Sequence, residues 1–425
     1  MTTRRLKHLA RIAVSNVDKK TASDERSVRL CNYTDVYYNE LITADLQFME
    51  ATASADQIER FALRAGDVLL TKDSETPDDI AVPAYVIADL PGVVCGYHLA
   101  LLRPGPEVNG RYLFWVLTSR SSREQFSASA NGITRFGLRY DSFGEVRVPL
   151  PPLDRQRAVA DYLDRETARI DALIEKKQEV MRLLDARRMT VMENGVSGRF
   201  TSNRLERSAL QWLSWRGASW REAKLTLVAR LGSGHTPSRD HPEWWDACNL
   251  PWITTGEVAQ LRSDRVEFLY ETREKISELG VANSSAEIHP KDTVVLCRTA
   301  SAGYSGIMGT AMATSQDFAT WTCGPLIRPR FLLLCLRAMR QDLLGRLAMG
   351  STHKTIYMPD IEALRVPLPE VDEQDAIVDA VWLRLRAIDT VIDALGRQVD
   401  LLAEHRQALI TAAVTGELKV PGMAA

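Results

Sequence analysis

Two stretches of the chain carry apolar residues at steps of three, four and seven. In the first these are Val159, Leu163, Ile170, Leu173, Met181, Leu184 and Val191. In the second they are Ile377, Val381, Ile388, Ile392, Leu395, Val399, Leu402 and Leu409. This spacing puts a narrow apolar seam along a helix, the pattern that pairs two helices in a coiled coil. A proline-rich stretch precedes each seam, "VPLPPLD" from Val148 and "VPLPEVD" from Val366, and its prolines forbid helix. Asp154 and Asp372 are the predicted N-caps. Gly195, Gly198 and Gly416 are the predicted stops. A helix of about 40 residues at 1.5 Å each would be roughly 60 Å long.

The two stretches are copies of one another, 218 positions apart and aligned without a gap. Val148-Pro149-Leu150-Pro151 matches Val366-Pro367-Leu368-Pro369, and Asp154 and Gln156 match Asp372 and Gln374. Ile170-Asp171 matches Ile388-Asp389, Leu184 matches Leu402, Arg188 matches Arg406, and Val196 and Gly198 match Val414 and Gly416. The chain is a tandem duplication. The intervening regions, residues 1–147 and 201–365, have similar lengths but share only short echoes. "GDVLLTKDS" (Gly66–Ser74) answers "KDTVVLCRT" (Lys291–Thr299), and "RYLFWVL" (Arg111–Leu117) answers "RFLLLCL" (Arg330–Leu336), each of these last a predicted buried helix. "SANGITRFGL" (Ser129–Leu138) answers "LAMGSTHKTI" (Leu347–Ile356). Two seams on half-equivalent helices satisfy each other most economically by pairing antiparallel. That pairing has a pseudo-twofold axis and sets a globular domain at each end, about one helix length apart. The expected fold class is therefore α+β, two globular α/β domains separated by two long helices that pair as an antiparallel coiled coil. A rigid spacer with a reader at each end suits two short sites at a fixed distance on a double helix.

A formal charge of −2 on 425 residues excludes a generally basic protein that coats nucleic acid, although local basic faces remain compatible with it. The longest apolar run, around Phe331–Leu336, is far shorter than the ~20 residues that span a bilayer, and the N-terminal residues lack the apolar core of a signal peptide. Six cysteines are scattered without a C-x-x-C pair, the pattern of reduced thiols in a cytoplasmic protein.

In this order the phrases resemble the specificity subunit of type I restriction–modification systems. "GDVLLTKDSETPDDIAVPA" (Gly66–Ala84) is similar to part of that family's first target recognition domain. "LGSGHTPSRDHPEWW" (Leu231–Trp245) is similar to the opening of its second. "ALQWLSWRGASWREAKL" (Ala209–Leu225) is similar to the linker between them, and the two "VPLP…DxQ" segments open its two helical regions. The resemblance covers essentially the whole chain. It implies target recognition domains at 1–150 and 201–368 and helical regions at 151–200 and 369–425. It also implies a subunit without chemistry of its own that reads a split sequence in double-stranded DNA. Its implied partners are two adenine-N6 methyltransferase subunits, which use S-adenosylmethionine, and restriction subunits that translocate and cleave DNA with ATP and Mg²⁺. No cofactor or metal is expected in this chain.

The residues themselves agree with an absence of catalysis. "NLPW" (Asn249–Trp252) has Leu250 where an amino-methyltransferase motif requires proline, and "LGSG" (Leu231–Gly234) is too short for a cofactor loop. Metal-protease, Walker A and nucleophile-elbow motifs are absent from the sequence. The seven histidines do not cluster with cysteines at zinc spacing. Contacts to phosphates and base edges require Lys, Arg, amides or hydroxyls on loops beside strands. The candidates in the first domain are Lys72, Asp73, Ser74, Tyr97, His98, Thr134 and Arg135. Those in the second are Ser233, His235, Thr236, Arg239, Arg298, Thr299, Ser301, Thr352, His353 and Lys354. Tyr162 and Trp382 are the candidates for partner docking on the helices. Two other readings compete: an enzyme with degenerate motifs, which would transfer methyl groups alone, and a coiled-coil adaptor bridging proteins, which would have no salt-sensitive DNA affinity.

Overall fold

The computed structural model describes residues 2–348 and 354–420. The chain divides into two compact units, Met1–Gln178 with Gly396–Ala425, and Glu179–Leu395. The units do not follow the sequence divisions at 150, 200 and 368, because each contains one globular region and half of each long helix. The long helices are Leu153–Val196 and Val371–Thr415, of 44 and 45 residues, about 66 and 68 Å at helical rise. None of the described helices is long and apolar enough to cross a membrane.

The two globular regions share one topology despite their divergent sequences. In the first, a five-stranded sheet runs Ala10–Val14, Leu99–Pro104, Val68–Thr71, Pro83–Val86, Leu41–Ile42. In the second it runs Ala229–Ser233, Phe318–Cys323, Val294–Cys297, Ser305–Met308, Phe268–Leu269. Each sheet is antiparallel except for its last pair, which is parallel in both units. A three-stranded sheet also recurs, Met49–Ala53, Arg26–Cys31 and Val93–Cys95 in one unit, Lys275–Ile276, Leu250–Ile253 and Ala313–Thr314 in the other. The near-continuous apolar strands, such as Val68–Thr71 and Val294–Cys297, are buried on both faces, as strands covered from two sides must be. The predicted helices form at Gly110–Thr118 and Pro329–Ala338, and each packs into the core of its unit.

The repeated "VPLP" segments are strands. Arg147–Pro149 pairs antiparallel with Thr3–Arg5, and Arg365–Leu368 pairs with Arg221–Lys224. Both long helices start two residues earlier than N-caps at Asp154 and Asp372 would place them, at Leu153 and Val371, so these aspartates are not caps. They sit in the first turn, where a carboxylate faces the positive end of the helix dipole. The residues that fix the start are Gln156 and Gln374, both fully buried. The Gln156 side-chain carbonyl accepts from the Asn109 amide at 2.8 Å, and its NH₂ group donates to the carbonyls of Glu107 and Pro151. Gln374 makes the same three bonds, to the Arg328 amide and the Leu326 and Pro369 carbonyls. Each glutamine thus ties a helix to the loop before its unit's buried helix. Every polar atom of the two glutamine side chains is satisfied, as their burial demands.

The helices pair antiparallel within each unit. In the first, Val159, Ala160 and Leu163 share a core with Ile410, Ala413 and Val414. In the second, Val191, Met192 and Val196 share one with Ile377, Val378 and Val381. Gly195 is not a stop; it lies inside the helix, where an added Cβ would meet Val381 Cγ2 at 2.2 Å. Gly198 and Gly416 do follow the helix ends with the left-handed φ of +85° and +80° that a C-terminal glycine supplies. From Asp171 to Arg187, and from Asp393 to Leu409, every helix residue is exposed or half-buried. The predicted seam residue Leu173 is accordingly exposed. Polar pairs hold or flank these stretches instead. Lys177 donates to Gln398 at 2.5 Å, Arg406 pairs with Asp171 at 2.9 Å, and Arg188 pairs with Asp389. The last two are one interaction written twice, because Arg188 and Asp171 are the duplicates of Arg406 and Asp389.

Candidate nucleic-acid interface

In the first unit, five of the seven candidate residues border one groove of about 1050 Å³: Asp73, Ser74, His98, Thr134 and Arg135. Thr134 and Arg135 reach it from a hairpin, Asn131–Gly132 paired with Phe136–Gly137, whose second strand extends onto Asp73–Ser74. His98 lies at a tight corner with φ +74°, and its Nδ1 is 2.5 Å from the Asp73 carboxylate. The other two candidates flank the groove, with the Lys72 ammonium 4.9 Å from the centre of the Tyr97 ring. A bond from the Leu138 amide to the Lys72 carbonyl, 3.0 Å, fastens the hairpin to the main sheet.

Sequence reasoning missed other residues that line this groove, among them Tyr33, Tyr37 and Tyr38 with Asp79 and Lys19. Tyr33 and Tyr37 stack at 5.5 Å. The Tyr37 hydroxyl donates to Asp79 at 2.5 Å, and the accepting carboxylate holds its pKa up to about 12. The Tyr33 pKa is also raised, first by burial and then by Asp79. Three tyrosines within "NYTDVYY" (Asn32–Tyr38) were the available signal. Carboxylates and cations are mixed along this groove, an arrangement suited to hydrogen-bonding base edges as well as phosphates, because Asp accepts from cytosine N4.

In the second unit the corresponding corner carries different chemistry. The Ile356 amide bonds the Arg298 carbonyl at 2.8 Å, and the Arg298 amide bonds the Asp317 carbonyl at 2.8 Å. These match the Leu138-to-Lys72 bond and the 2.8 Å bond from the Lys72 amide to His98. Lys72 and His98 of one unit are therefore replaced by Arg298 and Asp317 in the other. Arg298 Nε donates to the Gln316 carbonyl, and Thr236 Oγ1 donates to the Gln316 side chain, so Thr236, Gln316 and Arg298 form one polar row. Gln316 was not anticipated. Ser233 Oγ bonds the Phe318 carbonyl, and the His235 amide bonds Thr314, beside that row. Thr299 bridges to Thr355, with Ser301 bonded to the Thr299 carbonyl. Arg239 instead lies across the Trp245 ring at 3.7 Å. Lys354 reaches back to the Leu344 carbonyl. Thr352 and His353 lie outside the described residues.

On the helices, Trp382 is 5% exposed within its own unit's core, so it offers no docking face. Its ring is spent covering the buried Arg337, whose guanidinium lies 5.7 Å above it. Tyr162 is half-buried against the core of the first unit. The exposed apolar residues are others, among them Leu173, Val180, Leu183, Leu383, Val391 and Leu401. Val180 and Leu183 border a groove of about 680 Å³ with Phe200 and Arg384. Among the described residues no three His, Cys, Asp or Glu side chains gather to hold a metal ion.

The family of the type I restriction modification DNA specificity domain matches residues 1–182 and 218–383, well over half of the chain. The chain belongs to this family. Over nearly its whole length it is 19% identical to the putative type I restriction enzyme MjaX specificity subunit of Methanocaldococcus jannaschii, covering 98% of this chain and 93% of that one. The MjaIX specificity subunit of the same organism is 25% identical over 186 residues, which span 43% of this chain and 41% of that one. The Escherichia coli EcoBI specificity subunit is 22% identical, covering 73% of this chain and 66% of that one. The fold is similar to a chain from a structure of type I R-M complex assembly, with a TM-score of 0.69, 18% identity and 98% of both chains covered. It is also similar to the HsdS subunit of Thermoanaerobacter tengcongensis, with a TM-score of 0.52, 18% identity, and 98% of this chain and 97% of that one covered. A family defined by DNA specificity disfavours an adaptor that never meets DNA.

Proposed function

We propose that the chain reads a two-part DNA sequence, one half through the first globular region and the other through the second, and performs no catalysis itself. The observation that carries this reading is the repetition of one fold around two corners of different chemistry. The same sheets and the same buried glutamine recur, while Lys72, Asp73 and His98 give way to Arg298, Thr299 and Asp317 at the candidate surface. One frame with two chemistries fits two different half-sites. The paired helices, of 44 and 45 residues, set the spacer between half-sites in this reading. Their exposed apolar residues dock two adenine-N6 methyltransferase subunits, which bring S-adenosylmethionine and take the adenine out of the stack. Restriction subunits acting with ATP and Mg²⁺ complete the assembly, in the cytoplasm.

The test is a genome-wide map of methylated adenines from cells expressing this chain with its modification subunit, and from cells lacking this chain. A split motif with a fixed spacer that appears only with both is the expected result. Methylation unchanged by omitting the chain would end the reading. Direct binding supplies a second measure, since a protein contacting ~6 phosphates loses affinity by orders of magnitude between 50 and 200 mM salt.

A further inference from the structure

Ile133 is 94% exposed, the most exposed large apolar side chain among the described residues, and it stands at the tip of the hairpin that borders the first unit's groove. The loop Ile133–Arg135 connects two short paired strands. Gly132 enters it at φ +151°, where an added Cβ would meet the Arg135 carbonyl oxygen at 2.0 Å, so the turn is built for a close, fixed geometry. The hairpin is tied down on its other side by pairing with Asp73–Ser74. A β-branched side chain has few rotamers to lose on contact. Its neighbours Asn131, Thr134 and Arg135 are polar and exposed, so the tip is no protein-docking patch, which needs contiguous apolar surface. An isolated stiff aliphatic group amid hydrogen-bond donors fits a different surface, the gap between two base pairs, where Ile, Leu and similar wedges open a step while polar neighbours hold the strands.

Resting on the DNA-reading function above, we propose that Ile133 inserts between adjacent base pairs of the half-site read by the first globular region and unstacks that step. The wedge belongs to one half-site only. The position 218 residues later is Ser351, which has no apolar group to insert.

The experiment uses the full chain, alone and assembled with its modification subunits, on its mapped target carrying 2-aminopurine at successive positions of both half-sites. The wild type is expected to raise fluorescence severalfold at one step of the first half-site and nowhere in the second. Ile133→Leu retains that rise. Ile133→Ser loses it and binds the intact target about tenfold more weakly, a loss that shrinks to under about threefold when a mismatch already opens the step. A rise that persists in Ile133→Ser overturns the wedge while leaving the DNA-reading function intact, and so does unchanged affinity. A defect of that variant confined to subunit assembly assigns the tip to a protein partner and overturns it too. If the wild type shows no sequence-dependent binding in either form, the proposed function fails and the wedge with it.

Discussion

The two units compare as a frame with its contents exchanged. What the units share lies where each long helix begins and where the two helices meet: the "VPLP" strands, Gln156 and Gln374 with identical bonds, and the reciprocal helix–helix pairs of Arg188 with Asp389 and Arg406 with Asp171. What differs lies at the open corner, where His98 pairs with Asp73 in one unit and Arg298 crosses to Gln316 in the other. The frame is buried and permits few replacements, while the corner is wet and permits many. The reciprocal ion pairs themselves depart from symmetry in one respect. Arg188 is buried and also donates to the Ser263 carbonyl. Arg406 sits between the half-exposed carboxylates Asp171 and Glu40.

That asymmetry gives the largest expected effect. Arg188→Ala should cost about 3–5 kcal/mol, because it strands Asp389 with only the more distant Arg265 at 3.5 Å, and denaturant titration of the full chain would show it. Arg406→Ala should cost about 1 kcal/mol or less, since its partners are hydrated; equal losses would mean that burial does not separate the two ends. Gln156→Ala and Gln374→Ala test what the units share. Each should cost about 3 kcal/mol through unsatisfied backbone groups, and a large difference between them would break the equivalence of the two frames. Gly195→Ala should cost about 1–3 kcal/mol by overpacking against Val381, with Val381→Ala restoring most of it.

The smallest effect concerns pH. His289 is buried beneath the second unit's candidate loop, where its Nε2 meets the Ser233 carbonyl at 3.2 Å. Burial lowers its pKa below the ordinary histidine value. Protonation therefore favours the unfolded chain, so this contribution to stability is full above pH ~6.5 and declines as pH falls below it. The second unit should lose protection against hydrogen exchange between pH 7 and 5, and His289→Gln should flatten that dependence.

Much of the candidate site was legible. Gly66–Ser74 marked the strand that ends at Asp73 and Ser74, through its apolar-to-polar switch. The glycine-containing echo Ser129–Leu138 marked the segment of Thr134 and Arg135, although its hairpin and the pairing with Asp73–Ser74 came only with the structure. Tyr33, Tyr37 and Gln316 escaped notice because nothing in their local sequence says which strand ends converge. Trp382 misled because a large aromatic on an amphipathic helix reads the same whether it meets a partner or a buried arginine.

The sequence by itself determined the duplication, the two long helices and their antiparallel pairing, because a repeated seam period is a local property that survives without coordinates. It also carried Arg188, Asp171, Gln156 and their duplicates, but as letters without partners. Tertiary structure alone decided that Arg188 crosses to Asp389, that each glutamine satisfies a loop some 50 residues earlier, and that Gly195 is a contact rather than an end. These are non-local contacts, polar for the arginine and the glutamines and apolar for Gly195 against Val381, formed only when elements distant in sequence close on one another.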